Sequence, residues 1–361
     1  NNGNTYGWFN IPAHLLKVSD NLAIYLQNGQ NISAYALNKL AQEFDYYYTS
    51  MTNIYGTHSD IDANGKIIIL LMDINKTKGS GSQVLGYFNP SDMHGNNKGE
   101  ILYMDISNAN NNTDKAIGTI IHEFQHLINY SYVISGERNE MSSWLNEALS
   151  ESTSILFNKA TVESRIAGFN NINYYCFYTW DIPTNISNNN KNNTHVNYPS
   201  ASVFMNWLYQ KNGSNDSIFK TIASSKELGD YKKVLSAAKG ISGLSGATWD
   251  SLLLDWMSEI VTNGSNWTTT NKPTNNCASG NVSLYPGAMI VCDNYTNGAS
   301  GNIVKTNVNS KTIVLNKDTT LGKGATSVKV SVSSQASSKA RTRRSAIRND
   351  NNEESRDINI L

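Results

Sequence analysis

Residues 113–128 constrain the fold of this chain more than any other stretch. Their apolar residues Ile117, Ile120, Ile121, Phe124, Leu127 and Ile128 recur at the spacing of a half-buried helix. Thr113 is the expected N-cap, with Asp114 favourable in the first turn. His122 and His126 stand four residues apart, one turn along the same face, with Glu123 between them. Two imidazoles so placed reach one ion at about 2.1 Å while the glutamate stays beside the ion's open position, the H-E-x-x-H arrangement of a zinc hydrolase. With 6 histidines in 361 residues, composition alone yields on the order of 0.003 such matches. Two ordinary surface histidines are therefore the weaker reading.

A catalytic zinc takes three protein ligands and keeps one position open. The longer H-E-x-x-H-x-x-G-x-x-H pattern fails here, because its glycine position is Asn129 and its third histidine position is Tyr132. A carboxylate remains. Glu147, 21 residues past His126 in a second helical pattern over about 141–157, is the expected third ligand. Glu151 lies one turn further along that face. Two neutral imidazoles and one carboxylate leave a net positive site that acidifies water toward a pKa of about 7 and polarises a carbonyl. Glu123, close by but not needed as a ligand, is placed to take the proton as general base.

The element Asn146-Glu147-Ala148-Leu149-Ser150-Glu151 resembles the N-E-x-x-S-[DE] signature of thermolysin-like gluzincins, and residues 122–130 with 144–151 are similar to the hyicolysin family of zinc metallopeptidases. The resemblance covers roughly residues 60–210 and is specific in its two helices. It implies an α+β fold, a thermolysin-like zincin catalytic domain with a mixed-sheet N-terminal part and a helical C-terminal part. It also implies a secreted zinc endopeptidase acting on protein or peptide substrates, with Glu151 hydrogen-bonded to a ligand histidine and fixing its tautomer. In gluzincins the strand just before the zinc helix, here residues 100–106, forms the sheet edge to which an extended substrate adds. An oxyanion donor is expected on a later segment. Tyr198, three residues before Ala201, is similar to a tyrosine-x-x-small element of several gluzincin families; His195 competes, since thermolysin uses a histidine in this neighbourhood. Both stay open beside a third reading, a tyrosine that caps a core helix without chemistry. No G-x-M-E-N motif precedes the zinc helix, which disfavours an aminopeptidase.

Organisation follows from pattern and length. A helix over 36–51 and strands over 66–74 and 100–106 define an α/β part, residues 1–114. Helical patterns over 202–210, 217–225, 230–238 and 249–261 extend a helical part over 115–265, with the active cleft between the two. Short turn-bounded runs at 287–291, 302–308, 311–315 and 327–332 predict a small β-sandwich-like domain over 277–333. Residues 334–361, with Arg341, Arg343, Arg344 and Arg348 followed by Glu353 and Glu354, read as a disordered tail.

A hydrophobic fraction of 39% with 16% charged residues indicates a soluble globular chain, expected to be monomeric. Net charge is zero and Lys and Arg are dispersed before the tail, which argues against a nucleic-acid partner. The longest aliphatic run, 67–72, is too short for a transmembrane segment. A first residue of Asn1 and the family resemblance point to a secreted, cell-surface or periplasmic mature form. Cys277 and Cys292 bracket a short loop that a disulfide can close, while Cys176 stands alone among tyrosines. His58 and His94 read as loop histidines. Asp60-Ile61-Asp62-Ala63-Asn64-Gly65 resembles the first half of a Ca2+ loop, but its twelfth position is Leu71, so a plain turn is the favoured reading. The alternative function is a surface binding or adhesion protein on an inactive gluzincin scaffold, against which the intact His122, Glu123, His126 and Glu147 argue.

Overall fold

The computed structural model describes residues 10–75, 84–95, 97–172, 174–177, 180, 194–267, 280–284, 287–292, 295, 303–317 and 328–332. It begins with a hairpin that the sequence pattern had not suggested, β1 (Ala13–Val18) antiparallel to β2 (Leu22–Gln27). Leu15 and Val18 are exposed, so β1 lacks the alternation that marks a half-buried strand. Ser33 then caps α1 (Ala34–Tyr55) by accepting from the Ala36 amide at 3.1 Å, and Leu40, Phe44 and Met51 form its buried stripe. The isoleucine-rich run becomes β3 (Ile67–Met72), with Ile67, Ile69 and Leu71 fully buried.

Next come β4 (Gly86–Phe88), a short 3₁₀ turn over Pro90–Met93, and β5 (Ile101–Asp105). The sheet order is β1-β2-β3-β5-β4, with β3 parallel to both β2 and β5 and the outer pairs antiparallel. The sheet is mixed, as expected, but its edge is not the strand at 100–106. That strand is internal, and β4 covers it. Glycine makes the approach possible, since a Cβ at Gly86 would lie 2.7 Å from the carbonyl oxygen of Tyr103.

Asp105 caps α2 (Ile106–Asn111), and α3 (Thr113–Ile134) follows directly. Its N-cap is Asn112 rather than Thr113. The Asn112 side chain accepts from the Lys115 amide at 3.2 Å, while Thr113 already has helical geometry and donates back to the Ala109 carbonyl at 3.0 Å. The remaining helices are α4 (Ser143–Phe157), α5 (Lys159–Asn170), α6 (Thr194–Lys211), α7 (Ser217–Ser224), α8 (Asp230–Lys239) and α9 (Trp249–Trp267). α5 is additional to the sequence expectation, and α6 starts ahead of Pro199, which it contains. α3 packs on α1 and α4, and α4 packs on α6, so the two helices with the candidate ligands lie side by side.

After α9 come β6 (Gly280–Leu284), β7 (Met289–Cys292), β8 (Ile303–Val308), β9 (Lys311–Asn316) and β10 (Val328–Val332). They form a three-stranded sheet, β7-β9-β8, and a β6-β10 pair, all antiparallel. Asn309 and Ser310, both at positive φ (49° and 63°), form the tight β8–β9 turn. α9 packs on β8 and β9, and Tyr175 exchanges backbone hydrogen bonds of 2.8 and 2.9 Å with Met289. Met289, Ile290, Ile313 and Leu315 consequently belong to the same hydrophobic core as Trp256 and Phe124. Cys292 is disulfide-bonded and Cys176 is a buried thiol. Cys277 and the tail at 334–361 lie outside the described residues. Among the described residues no helix is long and apolar enough to cross a membrane.

Candidate active site

His122 and His126 project from the middle of α3 with ring centroids 4.9 Å apart and planes at 79°. Glu147, in the second turn of α4, faces both. Its Oε2 lies 3.2 Å from His122 Nε2 and 3.6 Å from His126 Nε2. Donors held at about 2.1 Å by a common tetrahedral ion are about 3.4 Å apart, so the carboxylate oxygen stands from each imidazole nitrogen at the separation of two zinc ligands. The far side of each ring supports this. Ser150 Oγ donates to Gln125 Oε1 at 2.5 Å, which leaves its lone pair facing His126 Nδ1 at 3.0 Å. Glu151 Oε1 lies 3.6 Å from His122 Nδ1. Acceptors beside both Nδ1 atoms favour protons on that side, the tautomer that would leave both Nε2 lone pairs for a cation. Two imidazole nitrogens and one carboxylate oxygen thus fit zinc.

Electrostatics reinforces the convergence. Burial opposes the charge of Glu147, but His126 and His122 outweigh it and hold the carboxyl far below the usual carboxylate range. Burial likewise opposes a charged His126, yet Glu147 and Glu123 bring its pKa up to about 9. Glu123 lies within 4.8 Å of both histidines but turns toward the sheet edge, where its Oε2 accepts the Phe88 amide at 2.9 Å. Burial raises its pKa above the ordinary value, partly offset by His126 and His122. That is the direction a proton acceptor working near neutral pH requires.

Tyr198 is buried on α6, its ring 6.4 Å from that of His122. Burial first, then the charge of Glu147, push its pKa well above the usual phenol value, so it remains a donor. His195, at the start of the same helix, is exposed. The structure therefore brings His122, Glu123, His126, Glu147, Glu151 and Tyr198 together and leaves His195 outside the cluster. His58, hydrogen-bonded to the Tyr48 hydroxyl at 2.8 Å, and His94, its ring 6.1 Å from that of Tyr130, lie apart from this cluster.

Two participants carry no motif. Arg165 of α5 grips buried Glu151 with two bonds of 2.7 Å and lies 4.5 Å over the Tyr198 ring. Its helix has no marked amphipathic period, and its buried residues are Ile166 and Phe169 alone. The Phe88 amide is a backbone group that every residue but proline offers, and only the position of β4 gives it meaning. A cleft of about 450 Å³ opens between β4 and the segment joining α3 to α4. Glu123, His126 and Glu147 line it together with Phe88, Tyr130 and Met141.

No family profile matches the sequence. The chain is 28% identical over 200 residues to the neutral metalloprotease ShpI of Staphylococcus hyicus, a match covering 51% of this chain and 44% of that protein. The chain thus spans less than half the length of the curated relative it matches. The likeness supports a metallopeptidase family in the broad sense and implies a metal, and the mixed α+β architecture is compatible with a metalloprotease fold.

Proposed function

We propose that this chain is a zinc-dependent endopeptidase of the hyicolysin-like gluzincin type, with His122, His126 and Glu147 as metal ligands. The observation that carries the reading is the convergence of two Nε2 atoms and one carboxylate oxygen at 3.2 and 3.6 Å on the wall of a cleft. Zinc held there supplies Lewis acidity, lowering the pKa of water and polarising the scissile carbonyl. Glu123, steadied by the Phe88 amide, takes the proton from the attacking water and returns it to the leaving amine. Tyr198 donates a hydrogen bond to the oxyanion, a role its buried, protonated phenol suits better than exposed His195. Glu151, held by Arg165, orients His122, and Ser150 orients His126. The open edge of β4 receives the peptide as an added strand beside Glu123.

The same proposal assigns residues 1–114 and 115–265 to the two parts of the catalytic domain and 277–333 to a β-sandwich-like domain. It also takes the protein to be a secreted or cell-surface monomer. Size-exclusion chromatography and fractionation of culture test those last points. The function itself is tested by hydrolysis of casein by the wild type and Glu123→Ala, with zinc quantified in both and chelator added to the wild type. Cleavage by the wild type alone, abolished by chelator, with zinc retained in both proteins, is the expected result. Absence of zinc from the wild type would sink the ligand assignment.

A further inference from the structure

Between α1 and β3 the chain reads Asp60-Ile61-Asp62-Ala63-Asn64-Gly65-Lys66, with oxygen-bearing side chains at alternate positions ahead of a glycine at φ 65°. These match the first, third and fifth ligand positions and the sixth-position glycine of a calcium loop. What the contiguous sequence lacks is the acid at the twelfth position, Leu71. The fold brings one from elsewhere. Glu100, immediately before β5, is fully buried, and its carboxylate joins those of Asp60 and Asp62 in a group whose oxygens lie within 4.8 Å of one another. Its Oε1 accepts from Ser59 Oγ at 2.6 Å and from the Ile61 amide at 3.0 Å. Its Oε2 is buried without any hydrogen-bond partner. A buried carboxylate oxygen left bare is strongly unfavourable unless a cation compensates it. The nearby Lys66 does not, because its Nζ is engaged with the Asp20 carbonyl at 2.6 Å.

We propose that Asp60, Asp62, Asn64 and Glu100 form a calcium site, with Glu100 taking the part of the twelfth residue of a contiguous loop. The donors are all oxygens and three of them are carboxylates, the set a hard divalent cation prefers. An exposed turn that supplies ligands from alternate residues has the pliancy that calcium accepts and magnesium's strict octahedron does not. The turn is already shaped, with the Gly65 amide donating to Asp60 Oδ1 at 3.0 Å and the Lys66 amide to Asn64 Oδ1 at 2.6 Å. Gly99 leaves room for the approach, as a Cβ there would stand 3.1 Å from Asp62 Oδ2. The ion fastens more than its own turn. Ile68 of β3 donates to the Glu100 carbonyl at 2.8 Å, and the Ser59 amide donates to Ser131 Oγ of α3 at 3.1 Å. Calcium therefore braces the helix that carries His122 and His126 through the contact of Ser59 with Ser131.

The test uses the full chain, freed of calcium in resin-treated buffer with its zinc content recorded, and titrated with calcium chloride by calorimetry and by thermal melting. The wild type should bind one Ca2+ with a Kd of about 10⁻⁴ M. Its Tm should rise by about 5–10 °C at a hundredfold excess over that Kd. Asp62→Asn, a change at an exposed position, should weaken binding at least about tenfold, and Glu100→Gln should abolish it, with zinc content unaltered. If Glu100→Gln does not fold, Asp62→Asn decides alone. The proposal is overturned if the wild type binds no calcium, if Asp62→Asn binds it as tightly as the wild type, or if magnesium binds as tightly as calcium. None of these outcomes depends on peptide hydrolysis.

Discussion

Replacing Arg165 by methionine isolates one term in the architecture of the site. The Glu151 carboxylate is 0% exposed, and the Arg165 side chain is 11% exposed. Their two bonds of 2.7 Å form a fork that satisfies both carboxylate oxygens. With the guanidinium gone, Glu151 keeps only His122 Nδ1 at 3.6 Å. Removing one partner of a buried pair costs about 3–5 kcal/mol, chiefly through the charge left behind. At about 2–4 °C per kcal/mol for a domain of this size, Tm should fall by about 6–20 °C. On the proposed role of Glu151 in orienting His122, zinc affinity should fall about 10–100-fold. Arg165→Lys keeps the charge but loses the fork and should lie between. Glu151→Gln combined with Arg165→Met should recover part of the loss, since no bare charge remains. Melts of zinc-loaded protein and a competition titration against a zinc indicator measure both quantities. A Tm for Arg165→Met within about 2 °C of the wild type, with unchanged zinc affinity, would refute the reasoning.

Further outcomes follow from the same geometry. Glu123→Ala should keep zinc and lose about 10²–10⁴-fold in turnover, and Tyr198→Phe should lower kcat by about 10²–10³ at unchanged KM; equal turnover in the phenylalanine variant removes the phenol from the mechanism. In chelated protein, the His126 pKa of about 9 exceeds its ordinary 6.5, so its contribution to stability is full below pH 6.5 and lost as pH rises through 9. Glu147 is depressed below its ordinary 4.5, so its contribution is full above that pH and lost on acidification. Denaturant titrations should therefore show this pair helping most between pH 4.5 and 6.5, whereas zinc binding, which displaces the His126 proton, should tighten from pH 6 toward 9; a pH-independent zinc affinity would contradict it. Gly118→Ala should destabilise by about 1–3 kcal/mol in equilibrium unfolding, because its Cβ would meet Asn158 Nδ2 at 2.4 Å and displace that side chain from the Asp114 carbonyl.

What could be read from the chain beforehand was periodicity and reactive side chains. The 3.6-residue recurrence from Ile117 to Ile128 marked α3, and the spacing of His122, His126 and Glu147 singled out three residues that the fold brings together, with Glu147 within 3.6 Å of each histidine. What could not be read has physical causes. β4 is three residues long, too short for a period, and its contribution at the site is a backbone amide. Arg165 sits on a helix whose packing leaves no stripe, so neither α5 nor the grip on Glu151 had a signal. The Thr113 cap failed because Asn112, one residue earlier, also has a side-chain acceptor, and a sequence pattern places helix ends only to within a residue or two. Glu100 shows the same limit, as an acid 40 residues from Asp60 is brought to it by the pairing of β3 with β5 and by its bonds to Ser59 and Ile61.

The continuous core has a consequence in time as well as in space. Met289, Ile290, Ile313 and Leu315 belong to the core that includes Trp256 of α9, yet they leave the ribosome after every helix of the described residues has been made. At about 5–20 residues per second, the nascent chain carries its finished helices for several seconds before those strands arrive. During that interval the face of α9 that later meets β8 and β9 is bare, a surface suited to a holding chaperone. A chain halted before residue 316 should be sticky rather than merely shortened, and α3 and α4 should settle only after synthesis has passed that point.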